Sequence, residues 1–530
     1  MIMARHPNNR DLLVAVAVVS AFLAVGDVSG VGFDLHHRSS PVVRRWAEAR
    51  GHAALAAEWP PQGSPEYYSK LSRHDRDLHA RRGLAAADGL LTFADGNETL
   101  QSLGSLYYAE VALGTPNTTF LVALDTGSDL FWVPCECKQC AQLSGNATAQ
   151  LQTYTPSLSS TSKTVTCNNS LCGEPSGCTA ATNGSCPYTV QYVSANTSSS
   201  GVLVEDVLHL TKESPATSGG AATEAVNASV VFGCGQVQTG DFLDGAGLDG
   251  LMGLGRGKTS VPSELAAGGV VASDSFSMCF SSDGVGRISF GDTGSSSGQS
   301  ETAFIASPVY YNVSFTSINV GSQSAAAEFA AVVDSGTSYT YLNDPEYTQL
   351  ATNYNSQIRE ERANYSSSPF EYCYGLSSNQ TEVFLPDVSL TASGGAVFPV
   401  TWPIIPVVGE INGQARTVGY CLALLKSDIS TNIIGQNFMT GLKVVFNRER
   451  SVLGWQKFDC YKNTPVAGGP EASPSPGSAG PSPTKITPQQ NDGGNSKPGA
   501  APLPRSAGSL DALGGRFLLL LPLLAAAALV

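Results

Sequence analysis

The chain has 530 residues, including 55 glycines and 30 prolines, and only 14% of its residues are charged. This length allows two domains with sizeable cores, and the many turn-forming residues favour a β-rich protein over a helical bundle. The formal net charge of −14 argues against nucleic-acid binding, which requires a basic surface.

An apolar run near the N-terminus indicates a secretory signal peptide over residues 1–26. Arg5 and Arg10 precede the run, which extends from Leu12 to Val25. The run is short and ends in Gly and Ser, which favours a signal peptide over a membrane anchor. Secretion lets the 12 cysteines form disulfides, although their spacing does not determine the pairing. Ten Asn-x-Ser/Thr sequons agree with this route.

Residues 27–100, called here the N-terminal segment, are predicted to be a prosegment. Between His36 and Arg82 the basic residues outnumber the acids, whereas the following protein is acidic. We expect the segment to cover an acidic cleft by charge attraction and to be released as carboxylates protonate. The alternative is a leader without an inhibitory role. Arg81-Arg82 is a candidate processing site.

The first candidate catalytic residue, Asp125, follows a predicted buried strand. The segment 107–113 alternates as a strand, Gly114-Thr-Pro116 turns the chain, and four apolar residues then lead into Asp125-Thr-Gly-Ser. A carboxylate at the end of a buried strand is unfavourable unless nearby groups require it. Leu130 to Pro134 form a second apolar strand.

Seven cysteines lie within residues 135–186, among small polar residues. We predict a surface insertion that is held by disulfides. Cys135-x-Cys137-x-x-Cys140 could also suit zinc. In a secreted chain with no histidine nearby, disulfides are favoured, and no metal site is predicted.

The next segments predict a hairpin and a decoy motif. Tyr188–Tyr192 and Gly201–Leu210 read as paired strands, and Asp249–Gly255 is suited to close backbone packing. A third Asp-Thr-Gly at Asp292 follows Gly291 rather than an apolar run. We therefore interpret Asp292 as part of an exposed hairpin turn with a structural role.

The second candidate, Asp334, lies 209 positions after Asp125 and repeats its context in Ala330-Ala-Val-Val-Asp-Ser-Gly-Thr-Ser338. A helix is predicted over 344–357, with Asp344 as its N-cap and Pro345 at its first position. Asn432-Ile-Ile-Gly435 mirrors the Leu-Met-Gly of the first half. The chain thus reads as two copies of one β fold, with lobes over 101–300 and 301–460.

The C-terminal composition predicts a stalk and a lipid anchor. Residues 461–505 contain ten prolines and seven glycines, which is typical of a disordered stalk. Small residues, a polar spacer and an apolar tail over 506–530 match a glycolipid-anchor (GPI) signal. Ser506 is the favoured attachment site and Ser509 the second choice. A short tail anchor is the alternative, because 14 terminal apolar residues are few for a spanning helix.

Two carboxyl groups presented by the same local sequence suggest one shared site. Two carboxyls within hydrogen-bonding distance cannot both ionise easily, so one keeps a proton and the pair titrates as a unit. The ionised member can take a proton from a water, while the protonated member hydrogen-bonds to a substrate carbonyl. Such a site would hydrolyse a peptide bond without a covalent intermediate.

The residues that follow each acid have predicted orienting roles. The glycines let backbone N–H groups approach the carboxylates. The first hydroxyl residue of each motif is expected to link the two turns, and the second is expected to hold the outer carboxylate oxygen. These residues are Thr126, Gly127, Ser128, Ser335, Gly336 and Thr337.

These motifs resemble those of the pepsin-like aspartic proteases, and more closely those of the plant nepenthesin-like, GPI-anchored branch. The resemblance rests on Gly114-Thr-Pro116, Asp125 to Cys135, Asp334 to Ser338, Ile433-Ile-Gly435 and the leader Phe33 to Arg38. It implies an all-β, bilobal fold with a few short helices, pseudo-twofold symmetry and a cleft between the lobes.

The resemblance also implies function. It implies an aspartic endopeptidase that is active at acid pH on protein or peptide substrates, needs no cofactor and acts as a monomer at the extracellular face of the plasma membrane. The alternative is a catalytically weak, protease-like binding protein or inhibitor, but such relatives commonly lose a residue of the pair, and this chain keeps both. A structural wall glycoprotein would not explain the duplicated acid motifs.

By position, Tyr192 resembles the tyrosine of the flap that closes on substrate, and Trp132 resembles its supporting partner. Here the sequence departs from the family pattern. Val193 to Thr197 replaces the usual glycine-rich flap turn and contains a sequon at Asn196. A glycan at Asn196 would obstruct closure, so either Asn196 is unmodified or the flap differs.

Overall fold

Strands make up most of the structure, and they follow the alternating and apolar segments of the sequence. The computed structural model describes residues 31–38, 40–49, 60–86, 107–140, 152–173, 178, 184–191, 197–213, 223–243, 249–280, 285–294, 298–307, 310–377, 380, 382–411, 413–459, 464–465 and 483–485. The prediction of a mostly β fold with a few short helices is confirmed, although one helix of the N-terminal segment has 22 residues.

Five α-helices are described. They are α1 Pro41–Ala49, α2 Pro65–Ala86, α3 Val261–Ala267, α4 Glu346–Asn355 and α5 Gln436–Met439. Helix α4 begins at Glu346, one residue after the predicted first position at Pro345. The carboxylate of Asp344 still accepts a hydrogen bond from the backbone N–H of Thr348 at 3.3 Å, so it caps the helix from one position further out than expected.

The strands divide into those before and after residue 305. The first group is β1 Val31–His37, β2 Tyr107–Leu113, β3 Thr118–Asp125, β4 Trp132–Gln139, β5 Lys163–Thr164, β6 Pro187–Gln191, β7 Ser198–Glu213, β8 Thr223–Thr239, β9 Leu251–Gly253, β10 Ser275–Phe280, β11 Val285–Phe290 and β12 Ser300–Ala303. The second group is β13 Asn312–Val320, β14 Gln323–Val333, β15 Thr340–Leu342, β16 Cys373–Gly375, β17 Glu382–Phe384, β18 Val388–Ala392, β19 Val397–Val400, β20 Ile404–Ile411, β21 Gln414–Leu422, β22 Leu424–Lys426, β23 Asn432–Ile434, β24 Leu442–Asn447, β25 Val452–Asp459, β26 Thr464–Pro465 and β27 Pro483–Lys485.

One large sheet carries the first candidate acid, and a smaller sheet carries the second. The large sheet has the strand order β12-β25-β24-β10-β11-β1-β2-β3-β9-β4-β8-β7-β5, and the smaller one has the order β19-β18-β13-β14-β23-β15-β22. Strands β24 and β25 come from the end of the chain, yet they pair with β10 and β12. The large sheet therefore ties the two halves of the chain together.

The core between the halves is aromatic. The Phe276 ring on β10 stacks on the Phe446 ring of β24 at a centroid distance of 4.8 Å. The Tyr311 ring packs edge-on against Phe446 at 4.9 Å. All three side chains are buried. Aromatic pairs of this kind add stability beyond the area that they bury.

Strand β1 of the N-terminal segment is an interior strand of the large sheet. It pairs antiparallel with β11 on one side, for example Phe33 with Ile288, and with β2 and the end of β7 on the other. A Cβ added to Gly32 would lie 1.8 Å from the carbonyl oxygen of Ile288. Glycine at this position therefore allows the close approach of β1 and β11.

Five disulfides are described. They are Cys135–Cys234, Cys137–Cys140, Cys167–Cys178, Cys172–Cys186 and Cys373–Cys421. The predicted preference for disulfides over zinc at residues 135–140 is confirmed, since all three cysteines are oxidised. Cys135 is bonded to Cys234 on β8, which lies outside the predicted insertion.

The described parts of the predicted stalk include two short strands. Strand β26 pairs with β25, and β27 pairs with β17, with Val383 opposite Thr484. Val383 is fully buried. At these residues the tail lies against the body instead of being fully extended from it. Ser506 and residues 1–26 lie outside the described residues, and no described helix is long and apolar enough to span a membrane.

Candidate active site

Asp125 stands at the end of a buried strand that is paired in parallel with β9. Leu124 lies opposite Met252, and Asp125 lies opposite Gly253. The backbone N–H of Leu254 donates to the carbonyl oxygen of Asp125 at 2.8 Å. Four residues before Asp125, the N–H of Leu121 donates to the carboxylate of Asp249 at 3.0 Å. These bonds hold the backbone at the end of β3 in place and so determine the position of the Asp125 side chain.

Asp334 occupies the equivalent place in the second half. It follows β14, which is paired in parallel with β23, and its N–H donates to the carbonyl of Ile434 at 3.0 Å. Four residues earlier, the carbonyl of Ala330 accepts from the side-chain amide of Asn432 at 3.1 Å. By register Asn432 corresponds to Gly250 rather than to Asp249, so the two side chains bond to equivalent strands from positions that differ by one residue. The side chain of Asp125 is half-buried, whereas Asp334 is only 1% exposed.

Tyr311 connects the two acid-bearing turns. Its hydroxyl donates to the carbonyl of Leu254 at 2.8 Å, and Leu254 is the residue that bonds to Asp125. Its own carbonyl accepts from the N–H of Val333 at 2.9 Å, directly before Asp334. Both acids are therefore positioned through one buried residue, Asp125 by way of its hydroxyl and Asp334 by way of its backbone carbonyl. In the sequence Tyr311 only marks the opening of the second half, and no pattern there indicates this role.

The turn after each acid forms the same local hydrogen bond. The N–H of Gly127 donates to Asp125 Oδ1 at 2.8 Å, and the N–H of Gly336 donates to Asp334 Oδ1 at 3.1 Å. The decoy makes this bond too, from Gly294 to Asp292 Oδ1 at 2.8 Å. The three-residue motif thus encodes a turn rather than a site.

The environment separates the decoy from the two candidate acids. The carboxylate of Asp292 forms an ion pair with Lys443 at 2.8 Å and accepts from the hydroxyl of Ser277 at 2.7 Å. Its side chain is only 16% exposed, so the turn is less exposed than predicted. A carboxylate with these partners has a structural role, as expected from its sequence context.

The outer hydroxyls of the two motifs are not equivalent. The Thr337 hydroxyl donates to Asp334 Oδ2. The buried Ser128 Oγ has no hydrogen-bond partner among the described residues. Thr126 and Ser335 are both buried, which agrees with a place between the turns. Of the two predicted flap residues, Trp132 is fully buried and packs on Phe242 at 4.9 Å, whereas Tyr192 lies outside the described residues.

Helix α2 of the N-terminal segment lies against the second acid motif. The buried Asp75 carboxylate accepts hydrogen bonds from the backbone N–H groups of Ser338 at 2.8 Å and Tyr339 at 3.1 Å. It also accepts from the Tyr341 hydroxyl at 3.1 Å. His79 Nε2 lies 3.1 Å from Thr337 Oγ1. Because the one proton of that hydroxyl is directed to Asp334, Nε2 is the donor.

These contacts differ from the expected attraction between a basic segment and acidic groups. At this turn the N-terminal segment supplies the acid, and the body of the protein supplies N–H donors. Charge counting missed them because backbone N–H groups do not appear in a composition. Asp75 and His79 are functional candidates that no sequence pattern could select, since their partners lie more than 250 positions away.

We expect Tyr311→Phe to weaken both the fold and the site. It leaves the buried carbonyl of Leu254 without its hydroxyl donor, which costs about 1–3 kcal/mol. Urea unfolding should show this loss, and kcat of peptide hydrolysis should fall as well. Tyr365→Phe is the matched control, because its hydroxyl also donates to a backbone carbonyl, that of Val418 at 3.1 Å, away from the acids. An equal fall of kcat in both variants would contradict the positioning role of Tyr311.

A second prediction concerns acid release of β1. Burial, with repulsion from Arg38 and His74, lowers the pKa of His37 to about 3. Its ring packs edge-on against Tyr107 at 5.4 Å. Since the detached segment would regain the ordinary pKa of 6.5, protons favour detachment. Docking is unaffected above pH 6.5 and weakens as the pH falls from there towards 3.

His37→Phe should therefore lower the pH midpoint at which β1 detaches, because the variant has no imidazole that takes up a proton on detachment. Hydrogen exchange of the β1 amides against pH measures this midpoint. His36→Phe is the control. Both histidines are half-buried, but at His36 burial lowers the pKa against the opposing effect of the Asp34 and Glu110 carboxylates, so this variant should shift the midpoint less. An unchanged midpoint in His37→Phe would contradict the role of His37.

Comparisons with known proteins agree with this geometry. Two family models match the chain, "Xylanase inhibitor N-terminal" over residues 107–292 and "Xylanase inhibitor C-terminal" over residues 310–457. "Aspartyl protease family protein 1" of Arabidopsis thaliana is 46% identical over 439 residues, covering 81% of each chain. "Aspartic proteinase-like protein 1" of the same plant is 37% identical over 482 residues, covering 86% of this chain and 87% of the relative.

More distant matches extend the comparison. "Aspartic proteinase nepenthesin-2" of Nepenthes gracilis is 28% identical over 410 residues, covering 73% of this chain and 85% of the relative. The crystal structure of edgp has a TM-score of 0.50 at 20% identity, covering 68% of this chain and 92% of that one, which bears on the fold alone. On the two family models and the relatives above 30% identity, the chain belongs to the plant aspartyl protease family, with xylanase-inhibitor-like and nepenthesin-like homologues.

Proposed function

We propose that this protein is an aspartic endopeptidase that hydrolyses peptide bonds at acid pH. The observation that carries the proposal is the equivalent placement of Asp125 and Asp334. Each acid ends an equivalent parallel strand pair, and Tyr311 holds both turns. In the proposed reaction the two carboxyls activate a water between them, without a covalent intermediate.

The supporting residues have distinct proposed roles. Gly127 and Gly336 donate to the inner carboxylate oxygens, and Thr337 donates to the outer oxygen of Asp334. These bonds keep the carboxyls in a fixed orientation, which is what a pre-organised site requires. The Ser128 hydroxyl would donate a hydrogen bond to the outer oxygen of Asp125 when substrate and water are bound.

We further propose that the N-terminal segment keeps the enzyme latent. Asp75 and His79 bind the turn that follows Asp334, so helix α2 occupies space directly beside the second acid. The buried Tyr68 adds a hydrogen bond to the carbonyl of Pro406 at 2.6 Å. Removal or displacement of α2 would then open the site.

The remaining parts of the proposal concern the chain's organisation and location. Residues 101–300 and 301–460 form the two lobes of a monomer, with Asp125 in one and Asp334 in the other. The protein is secreted and is anchored at the plasma membrane through Ser506. Release of the protein from membranes by a phosphatidylinositol-specific phospholipase tests the anchor, and a Ser506→Leu variant should no longer be released.

Peptide-library cleavage across pH tests the activity itself. The processed protein should cleave peptides at about pH 4–5, in the range of carboxyl pKa values. A statine-type inhibitor should abolish this cleavage, because its hydroxyl takes the place of the attacking water. Cleavage that persists with the inhibitor would point to a contaminating protease. A folded, processed protein that cleaves nothing would overturn the proposal.

A second candidate is a protease-like binding protein or inhibitor. The descriptions of the two matching family models favour it, since both name a xylanase inhibitor. A xylanase inhibition assay with the same preparation separates the candidates. Inhibition by a protein without peptidase activity would support the second one.

A further inference from the structure

The disulfide between Cys137 and Cys140 differs from the other described disulfides. Its cysteines are 3 positions apart in sequence, against 11, 14, 48 and 99 for the others. A short loop adds little constraint to the unfolded chain, so this disulfide contributes least to stability. Among the described disulfides it is also the one that contains an exposed cysteine, since Cys137 is exposed and Cys140 is half-buried. Exposed disulfides are the ones that exchange with thiols.

This disulfide closes a bulge in β4. Strand β4 pairs in parallel with β8, but Pro134 lies opposite Gly235 and Gln139 lies opposite Val237. Four residues of β4 thus lie between these two pairs, against the single residue Gln236 on β8. Within the bulge, Glu136 has a φ of 42°, which is uncommon for a residue other than glycine and stores backbone strain.

The bulge lies near the hairpin of β6 and β7, which are the strands before and after the predicted flap residue Tyr192 in the sequence. In the large sheet β8 lies between β4 and β7. Val237 of β8 pairs with Gln139 on one side and with Ser200 of β7 on the other. The β7–β8 register also shifts at this point, between Ser200 and Gly201. Val237 is therefore the residue through which a change in β4 at the bulge would reach β7.

We propose that Cys137–Cys140 is a thiol-exchange site, which takes a small-molecule or protein dithiol as its reductant and controls the order of the β6–β7 hairpin. A thiolate of the dithiol attacks the exposed Cys137 sulfur, the bond to Cys140 breaks, and the Cys140 thiolate takes a proton from solvent. The second thiolate of the reagent then attacks the mixed disulfide and releases Cys137. Two electrons pass to the protein, and the reagent leaves as its disulfide.

The surroundings suit this exchange. Lys138 lies between the two cysteines, and its ammonium, which donates to Gln236 Oε1 at 3.2 Å, favours a nearby thiolate. Cys140 Sγ lies 3.8 Å from the carbonyl of Gly235, which can accept a weak hydrogen bond from the thiol once it forms. The buried Cys135–Cys234 bond, with both residues fully buried, keeps β4 attached to β8 throughout.

Selective reduction of the folded full-length protein tests the exchange site. The protein is titrated with dithiothreitol, quenched with iodoacetamide and digested for mass spectrometry. Cys137 and Cys140 should be alkylated at dithiothreitol concentrations at least about 10-fold below those for Cys167 and Cys178, which are also partly exposed. Reduction of the two pairs at the same concentration, or of Cys167–Cys178 first, would overturn the proposal.

Hydrogen exchange tests the link to the hairpin without relying on activity. The amides of Ser198 to Ser200 should exchange faster in the selectively reduced protein and in the variant Cys137→Ser/Cys140→Ser. The variant Cys167→Ser/Cys178→Ser serves as the matched control and should leave these amides unchanged. Unchanged exchange in the variant Cys137→Ser/Cys140→Ser would show that the disulfide does not control the hairpin and would refute that part of the proposal.

Discussion

Asp125→Asn is expected to lower kcat/KM for peptide hydrolysis by at least about 100-fold, because an amide cannot take a proton from water and general acid–base catalysis supplies about 10²–10⁴ in rate. The fold should survive, since the oxygen of the introduced amide can still accept from the N–H of Gly127, as Asp125 Oδ1 does at 2.8 Å. The measurement is a steady-state assay of the processed protein at acid pH, with circular dichroism as the check on folding.

Asp292→Asn is a matched control for this result. It changes the same atom in the same three-residue turn, but Asp292 is bound by Lys443 and Ser277. We expect its kcat/KM to be that of the wild type, with a loss of stability because Lys443 of this largely buried ion pair is left without its carboxylate. Full activity of Asp125→Asn would refute the proposed mechanism. Equal loss in both variants would indicate that the substitutions act through folding.

Asp75→Asn is expected to activate the unprocessed protein. The buried carboxylate accepts from two backbone N–H groups and one hydroxyl, and hydrogen bonds to a charged group are worth about 1.5–3 kcal/mol each. An amide at this position has only one acceptor oxygen, and its NH₂ group would face one of these three donors without forming a hydrogen bond. The loss of one such bond corresponds to a rise of about 10-fold or more in the population with α2 detached.

The assay compares initial rates of the uncleaved chain, with mass spectrometry to verify that no processing has occurred. Asp34→Asn is the control, because Asp34 is an acid of the same segment but is 67% exposed and forms a surface ion pair with Arg287 at 3.3 Å. Surface pairs contribute about 0–1 kcal/mol, so this variant should stay latent. An Asp75→Asn protein as latent as the control would contradict the proposed inhibitory contact.

The positions of the two acids were predictable because their context is local. An apolar strand, an acid and a small-residue turn lie within about ten residues, and the same context recurs once. The comparison with Asp292 explains why the motif alone was insufficient. All three turns make the same Gly N–H bond, and only the preceding strand and the neighbouring charges distinguish them.

The missed residues are those whose role depends on partners that are distant in sequence. Tyr311 acts between residues 254 and 333, and nothing in its own neighbourhood distinguishes it from other strand tyrosines. Asp75 and His79 bind residues beyond 330. The cysteine pairing was open for the same reason, since Cys135 bonds to Cys234 rather than to a neighbour. The helix start at Glu346 was misplaced by one residue, because the Asp344 carboxylate caps the helix from the position before the N-cap.

Strand β1 has a consequence for how the protein would be processed. Its two edges are both occupied, by β11 on one side and by β2 and β7 on the other. A strand in that position cannot leave without exposing two rows of unpaired N–H and C=O groups. A single cut in the chain between α2 and β2 would thus produce a nicked molecule of two associated polypeptides. The smaller fragment would co-purify with the larger one until another segment replaced β1 as a strand of the sheet.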